Sequence, residues 1–272
     1  MNRSPLDAAW LQRLADRLDA PPRAPRVALC VAIGAEAEPA VIGSIEASLA
    51  LLLAGAGLPL CDAGAAWQIE LPDAAALDPA LAEIAQWLHA NGVAPGWRNE
   101  RLAVEDAAGR CIGTIERAAG RRLGIATRAV HLVLRDERGA VWVQQRAFDK
   151  ATDPGRWDTT MGGLVSAFES IAQALQRETW EEAGLRIEAL RELAPFGRFT
   201  VRRPLAEGHM VEHIEMFEAL APAGLVPQNQ DGEVECFECV TPAELVGRLH
   251  ADAFTLEAAA ILAHWLARSA AG

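Results

Sequence analysis

The sequence predicts an α/β protein of the α+β type, built from a smaller N-terminal unit and a larger C-terminal unit. Segments with strand-like alternation and segments with helical periodicity are intermixed along the whole chain. The 272 residues are 51% hydrophobic and 23% charged, which is typical of a globular protein with room for one large domain or two smaller ones. A new strand pattern starts near Thr127. We therefore expect an accessory α/β unit over residues 1–124 and a second unit over residues 125–272.

The first unit begins with an amphipathic helix within residues 1–20, in which Trp10, Leu11, Leu14 and Leu18 share one side. Further segments follow the same two periodicities. They predict strands at 27–33, 40–46 and 66–71, helices at 47–57 and 79–92, and a hairpin formed by 102–106 and 111–117.

The second unit opens with two strands around the turn at 136–139, followed by a loop at 147–163 that is rich in Pro, Gly and Asp. A helix comes next. Later segments predict strands at 188–201, 211–220 and 234–240, a helix that begins at Thr241 and a final helix from Leu256 to Leu266.

Charge and cysteine content narrow the classes of function. The net charge of −12 disfavours a general nucleic-acid or membrane-surface binder. The N-terminus has no apolar signal core, and the longest uncharged run, 47–61, is too short to span a bilayer. Five scattered cysteines do not form a disulfide framework. We expect a cytoplasmic protein that acts on a small molecule.

The helix after the loop concentrates negative charge. Ser170 and Gln173 form a capping-box pattern and Gly184 is a natural terminator, so the helix should run from Ile171 to Ala183. On it Glu178, Glu181 and Glu182 fall on one face. An acidic pair alone is typical of a solvated helix face. Three carboxylates on one face repel each other unless a cation lies between them, and hard oxygen ligands suit Mg²⁺ or Mn²⁺.

This helix belongs to a longer pattern. Gly163 is followed after five residues by Glu169, and seven more residues lead to Arg177-Glu178, then Glu181-Glu182 and Gly184-Leu185. The spacing resembles the Nudix box, G-x5-E-x7-R-E-U-x-E-E-x-G-U, where U is a bulky aliphatic residue. Every fixed polar and glycine position is filled, and the one departure is Thr179 at the first U position.

The resemblance implies the Nudix fold, a mixed sheet between helices in an α/β/α sandwich, and Mg²⁺-dependent attack of water on a diphosphate. It implies that Glu178 and Glu182 are the principal metal ligands and that Glu181 is a further ligand or positions water. Arg177 would orient a glutamate of the box. The Gly163 carbonyl would ligate metal, and Glu169 would support the loop–helix–loop.

Two assignments stay open, one within the box and one outside it. The general base varies within the family, so we leave it among Glu181, Glu182 and a later glutamate. Glu233, in an acidic turn before a strand, is a candidate for an additional metal ligand.

Segments outside the box, 97–104, 115–134 and 144–163, resemble a Nudix subfamily with an extra N-terminal domain, whose eukaryotic members are often labelled thiamine pyrophosphokinase-like. The resemblance implies hydrolysis of thiamine diphosphate, or of its oxidised and damaged analogues, to the monophosphate and phosphate. Relatives carry an Asn-Gly pair after the histidine, where this chain has Val133-Leu134 after His131 and Leu132.

Five residues are candidates for contact with the substrate. Arg146 and Lys150, near the loop that leads into the box, are expected to meet phosphate oxygens. Asp158 could contact a cationic or amine-bearing ring, while Trp97 and Trp157 could stack on a heteroaromatic group.

Several alternatives remain. A nucleoside-diphosphate sugar or a dinucleotide would suit the same box. An isopentenyl-diphosphate isomerase has a similar loop but needs a cysteine where this chain has 159–163, TTMGG. A non-catalytic ligand-binding module usually loses box glutamates, and a kinase would need a Gly-rich phosphate loop that is missing here. The N-terminal unit could cover the site, form a homodimer or select the leaving group.

Overall fold

The structure, a computed structural model, describes residues 6–34 and 38–269; residues 1–5 of the first predicted helical segment lie outside the described part. The helices are α1 Ala8–Leu18, α2 Ala47–Gly55, α3 Leu77–Ala90, α4 Arg117–Gly120, α5 Ile171–Ala183, α6 Pro242–His250 and α7 Leu256–Ser269. The strands are β1 Arg26–Ile33, β2 Ala40–Glu46, β3 Cys61–Asp62, β4 Ala66–Leu71, β5 Arg101–Glu105, β6 Cys111–Glu116, β7 Thr127–Arg135, β8 Val141–Arg146, β9 Trp157–Asp158, β10 Met161–Leu164, β11 Arg191–Leu205, β12 Gly208–Leu220 and β13 Val234–Val240.

The smaller sheet has the order β2-β1-β4-β3 and is mixed, because β1 runs antiparallel to β2 and parallel to β4. Its apolar side chains share one core with α2 and α3, including the fully buried Leu29, Leu53, Ile69 and Leu81. This core continues through the β5–β6 hairpin to Ile125. A small α/β unit thus occupies the N-terminal part of the chain.

The larger sheet has the order β11-β12-β7-β8-β13, with β10 added to β7 and β9 added to β8. Strands β12 and β7 are parallel, and the other pairs are antiparallel. Alternate residues of β7 serve two cores, since neighbouring side chains on a strand point to opposite faces. Val130 and Leu132 pack with α5, whereas Ala129 and Val133 pack with α7. The predicted mixed-sheet α/β/α sandwich is confirmed.

Helix α1 packs against the larger sheet rather than the smaller one. Leu14 shares a core with Phe254 and Trp265, and the Ala20 amide donates to the Arg202 carbonyl at 2.8 Å. The division at residues 124/125 stays a prediction. We propose that it separates the two sheets, with α1 attached to the C-terminal one.

Direct contacts join the two units near α4 and the β5–β6 hairpin. The Ala167 amide donates to the Arg101 carbonyl at 2.8 Å, and the His209 amide donates to the Arg121 carbonyl at 3.0 Å. At Gly208 (φ 139°) a Cβ would come within 2.3 Å of the Arg121 oxygen, so this approach requires glycine. These contacts hold α4 beside the larger sheet.

Candidate functional site

A cavity of about 790 Å³ lies where α5, the larger sheet and α4 meet, and residues of both units line it. Twelve carboxylates and seven cationic side chains line it, which leaves a formal excess of five negative charges. The carboxylates are Glu100, Asp149, Asp153, Asp158, Glu169, Glu178, Glu181, Glu182, Glu212, Asp231, Glu233 and Glu257, and the cations are Arg98, Arg117, Arg121, Arg146, Lys150, Arg177 and Arg203. Such a cavity repels an anionic substrate unless further cations enter with it.

Helix α5 places the three predicted glutamates on the cavity wall. It runs from Ile171 to Ala183 as predicted, with a complete capping box between Ser170 and Gln173 and with Gly184 left-handed at φ 64°. The side chains differ in exposure: Glu181 is 42% exposed, Glu178 is 13% exposed and Glu182 is 3% exposed.

Glu182 is the most deeply buried acid of this wall. One carboxylate oxygen accepts from the Gly162 amide and from Gln144 Nε2, both at 2.9 Å, while the other lies 3.8 Å from Lys150 Nζ. Burial raises the pKa of Glu182 to about 8, although the Lys150 charge and these donors oppose the rise.

Glu178 lies against Gly163. A Cβ at Gly163 would come within 1.9 Å of the Glu178 carboxyl carbon, so only glycine leaves room for this carboxylate. Burial raises the pKa of Glu178 to about 7, and the neighbouring Arg177 guanidinium opposes the rise. The box glycine and the box glutamate are therefore in direct contact.

Arg177 organises the acidic wall. Its guanidinium donates to Glu169 at 2.6 and 2.8 Å, to Glu178 at 2.7 Å, to Glu181 at 3.0 Å and to the Leu164 carbonyl at 3.1 Å. The hydrogen bond from Arg177 holds the pKa of Glu169 below its usual value. This network ties the loop before α5 to the helix, and the functional roles of Arg177 and Glu169 stay predictions.

Lys150 lies between Glu182 and Glu233. The Lys150 ammonium forms an ion pair with Glu233. Burial acts to raise the pKa of Glu233, but the Lys150 charge and hydrogen bond outweigh it and the net shift is downward. The structure thus brings Glu233, the most distant predicted ligand in sequence, to the same cavity.

Arg146 and Asp158 line the cavity and pair with each other. Arg146 Nη1 donates to Asp158 Oδ2 at 3.3 Å, and its other nitrogens donate to the Thr152 carbonyl. Asp158 also accepts from the Thr159 amide at 2.8 Å, and His131 Nδ1 lies 3.9 Å from it. Both side chains already have protein partners.

The two predicted stacking tryptophans lie outside the lining of this cavity. Trp97 packs on the core of the smaller unit and its Nε1 donates to Asn99 Oδ1 at 2.8 Å. Trp157 packs on the α7 side of the larger sheet, with the Arg248 guanidinium 4.6 Å from its ring centre. Neither ring is part of the cavity lining, so the structure provides no support for stacking.

The sequence reasoning missed ten charged residues of the lining, among them three arginines and two buried glutamates. Arg98, Arg117 and Arg121 come from the N-terminal unit, and Glu212 and Glu257 come from β12 and α7. Glu212 is 8% exposed and accepts from Thr127 Oγ1 at 3.0 Å. Burial raises the pKa of Glu212, and the nearby Glu257 adds to the rise. No local motif marks these residues, because tertiary contacts alone bring them together.

The side-chain oxygen and nitrogen atoms of the site indicate whether it suits a metal ion. Within residues 6–34 and 38–269, no group of three or more His, Cys, Asp or Glu side chains is already arranged to hold a metal ion. Arg177 and Lys150 instead lie between the carboxylates. The donor set is nevertheless of the hard-oxygen type that Mg²⁺ prefers, and an incoming cation would displace the protons that burial favours on Glu178 and Glu182.

The chain has relatives among known proteins. An uncharacterized Nudix hydrolase from Pseudomonas aeruginosa is 38% identical over 105 residues, which cover 39% of this chain and 60% of that protein. Nudix hydrolase 24, chloroplastic, from Arabidopsis thaliana is 28% identical over 187 residues, covering 64% of this chain and 49% of that protein. An isopentenyl-diphosphate Delta-isomerase from Streptomyces coelicolor is 34% identical over 155 residues, covering 57% of this chain and 77% of that protein.

This chain thus spans about half to three-fifths of the length of the first two relatives. No helix in the described residues is long and apolar enough to cross a membrane. The NUDIX domain family matches residues 126–264, just over half of the 272 residues, and includes β7 to α7 with the acidic helix. The chain therefore belongs to the Nudix domain family.

Proposed function

We propose that the chain is a Mg²⁺-dependent hydrolase (Mn²⁺ could substitute) that cleaves a diphosphate joined to another group. The substrate is thiamine diphosphate or one of its oxidised or damaged analogues, and the products are the monophosphate and phosphate. One observation carries the proposal: an intact set of box carboxylates lines a cavity with a formal excess of five acidic over basic side chains. Divalent cations would offset the charge of these carboxylates and of a diphosphate held beside them.

Glu178, Glu182 and the Gly163 carbonyl would hold the metal, with Glu181 and Glu233 as further ligands. When bound, Mg²⁺ offsets the charge of the diphosphate and activates water for attack on phosphorus. Arg177 fixes the directions of Glu178 and Glu181, and Glu169 fixes Arg177. Lys150, between Glu182 and Glu233, would turn toward the phosphate oxygens once a cation takes its place.

The general base remains open among Glu181, Glu182 and Glu233. Glu181 is the most exposed carboxylate on α5 and takes only one hydrogen bond from Arg177. It could therefore move toward a water molecule without leaving a buried donor unpaired.

One observation favours a thiamine compound. The alignment with the Arabidopsis protein covers 64% of this chain, more than the 126–264 match alone, so that likeness extends outside the Nudix domain. Such an extension is what the resemblance to the subfamily with an extra N-terminal domain implies.

The Streptomyces relative raises isomerisation of isopentenyl diphosphate as a second candidate. Its chemistry, as implied by the family resemblance, needs a cysteine before the box helix. The described lining of the cavity contains no cysteine, and the corresponding strand segment holds Thr159, Thr160 and Met161. A non-catalytic binding module is the alternative of another class.

The test is product formation with Mg²⁺ across thiamine diphosphate, its oxo and oxy analogues, ADP-ribose, a nucleotide sugar, a diadenosine polyphosphate and isopentenyl diphosphate. We expect the thiamine compounds to give the highest kcat/KM. Hydrolysis of the nucleotide compounds alone would reject the thiamine assignment and keep the hydrolase. Isomerisation without hydrolysis would support the second candidate, and no turnover of any compound would favour the binding module.

A further inference from the structure

The N-terminal unit contributes cationic side chains to the cavity that contains the box. Arg98 follows α3 in a loop, Arg117 begins α4, and Arg121 comes directly after it. All three line the same cavity as Glu178 and Glu182. We call Arg98, Arg117 and Arg121 the arginine wall.

The arginine wall is held in place by the backbone of both units. The Arg98 amide donates to Glu116 Oε1 at 2.9 Å, and the Arg117 amide donates to the Glu100 carbonyl at 2.9 Å. The Arg121 carbonyl accepts the His209 amide of β12 at 3.0 Å. These contacts fix the backbone positions from which the three side chains extend into the cavity lining.

The guanidinium groups are incompletely paired. Among the described residues, the Arg98 side chain forms no hydrogen bond or ion pair. Arg121 approaches Glu207 only to 3.8 Å, whereas Arg117 binds Glu100 at 2.6 Å. Arg98 and Arg121 therefore have donors free for an anion.

The wall shares its cavity with the box. Arg98, Arg117 and Arg121 line the same cavity as Glu178, Glu182 and Glu233, so an anion held beside the box carboxylates lies in the space that the wall borders.

We propose that the arginine wall binds the terminal phosphoryl group of the substrate, and that it thereby selects monosubstituted diphosphates over disubstituted ones. This inference rests on the proposed function. A terminal phosphoryl group carries close to two negative charges at neutral pH, because its second pKa is about 6. Each phosphoryl group of a disubstituted diphosphate carries one charge and a bulky substituent. Arginine binds the terminal group with paired, charge-assisted hydrogen bonds.

The proposal assigns a task to the N-terminal unit. The box of the C-terminal unit handles the diphosphate, which all candidate substrates share, and the wall of the N-terminal unit recognises its free end. Substrates of the thiamine diphosphate type meet this requirement, and ADP-ribose and dinucleotides do not.

The test uses the full chain with Arg98→Gln and Arg121→Gln combined. The matched control combines Arg23→Gln and Arg138→Gln, which remove the same charge from exposed positions outside the described cavity lining. Binding is measured with Mg²⁺ and α,β-methylene-ADP, a non-hydrolysable monosubstituted diphosphate, and with ADP-ribose as the disubstituted probe. Hydrolysis of thiamine diphosphate is measured in parallel.

We expect the wall variant to bind α,β-methylene-ADP about tenfold more weakly than the wild type, since each charged hydrogen bond contributes appreciably. Its KM for thiamine diphosphate should rise by a similar factor with little change in kcat, because ground and transition states share this contact. ADP-ribose binding, and both properties of the control, should change by less than about twofold.

The proposal would be overturned if the wall variant bound both probes more weakly by the same factor, or bound both as tightly as the wild type does. It would also be overturned if the wild type did not bind α,β-methylene-ADP. Wild-type binding that depends on the wall without turnover of thiamine diphosphate would instead refute the proposed hydrolysis and leave the wall intact. If the wall variant hydrolysed thiamine diphosphate with unchanged kinetic constants, the role of the arginine wall would be refuted and the proposed hydrolysis would stand.

Discussion

Glu182→Gln should abolish activity and yet stabilise the metal-free protein. The glutamine keeps the shape of the side chain, and its carbonyl oxygen can accept the hydrogen bonds from Gly162 and Gln144 that the carboxylate accepts at 2.9 Å. What the change removes is a titratable group that is 2% exposed. This carboxyl group lowers the stability of the folded state at every pH at which it would be ionised in the unfolded chain.

The magnitude follows from the pKa of Glu182, which burial raises from 4.5 to about 8. Since the folded pKa exceeds the unfolded one, the folded state holds more protons between pH 4.5 and about 8, and its stability falls as pH rises through that window. At pH 7 the cost spans about 2.5 pKa units at roughly 1.4 kcal/mol each, an upper bound of roughly 3–4 kcal/mol. The variant escapes this cost, so we expect it to gain about 1–3 kcal/mol.

The assay is thermal unfolding at pH 7 in a chelator and then in Mg²⁺. We expect Tm of Glu182→Gln to exceed that of the wild type by roughly 3–8 °C in chelator. Mg²⁺ should raise the wild-type Tm strongly and that of the variant only weakly. Glu181→Gln is the matched control; because this side chain is 42% exposed, its Tm in chelator should barely change. A variant less stable than the wild type in chelator would refute the reasoning.

Three further predictions concern the same cavity. Gly163→Ala should displace the Glu178 carboxylate and lower kcat/KM by more than about tenfold. Its Tm should change little, because the added Cβ meets only the flexible end of a side chain. Gly96→Ala, where a Cβ meets nothing within 4 Å, is the control. The affinity for Mg²⁺, measured by calorimetry from pH 6 to pH 8.5, should rise with pH as Glu178 (pKa about 7) and Glu182 (pKa about 8) lose protons; an affinity that does not change with pH would contradict this assignment. Trp157→Phe should leave KM for thiamine diphosphate within about twofold, since Trp157 packs outside the cavity; a much larger KM would restore its predicted stacking role.

The local features of the fold were predictable because they depend on neighbours in sequence. The ends of α5 follow from the capping box at Ser170 and the left-handed Gly184. The contact between Gly163 and Glu178 was not predicted, although the box spacing named both residues as metal ligands. Strand alternation was sufficient for the β5–β6 hairpin, whose turn is short.

The remaining features depend on contacts between distant segments. The sequence does not show that α1 packs on α7, or that Arg121 is brought to the cavity by the backbone of β12. Residue type suggested Trp157 as a stacking surface, but the sequence does not show that this ring packs on the α7 side of the larger sheet beside Arg248. Residue type suggested Asp158 as a contact for a cationic ring, but its actual partner, Arg146, is set by the pairing of β8 with β9.

The most direct test of the central claim is phosphate release from thiamine diphosphate by the wild type and by Glu182→Gln, each in Mg²⁺ and in chelator. The account predicts steady release only by the wild type in Mg²⁺, and a fall in kcat of orders of magnitude in the variant while its fold persists. Release that continues in chelator, or near-normal turnover by Glu182→Gln, would contradict the account.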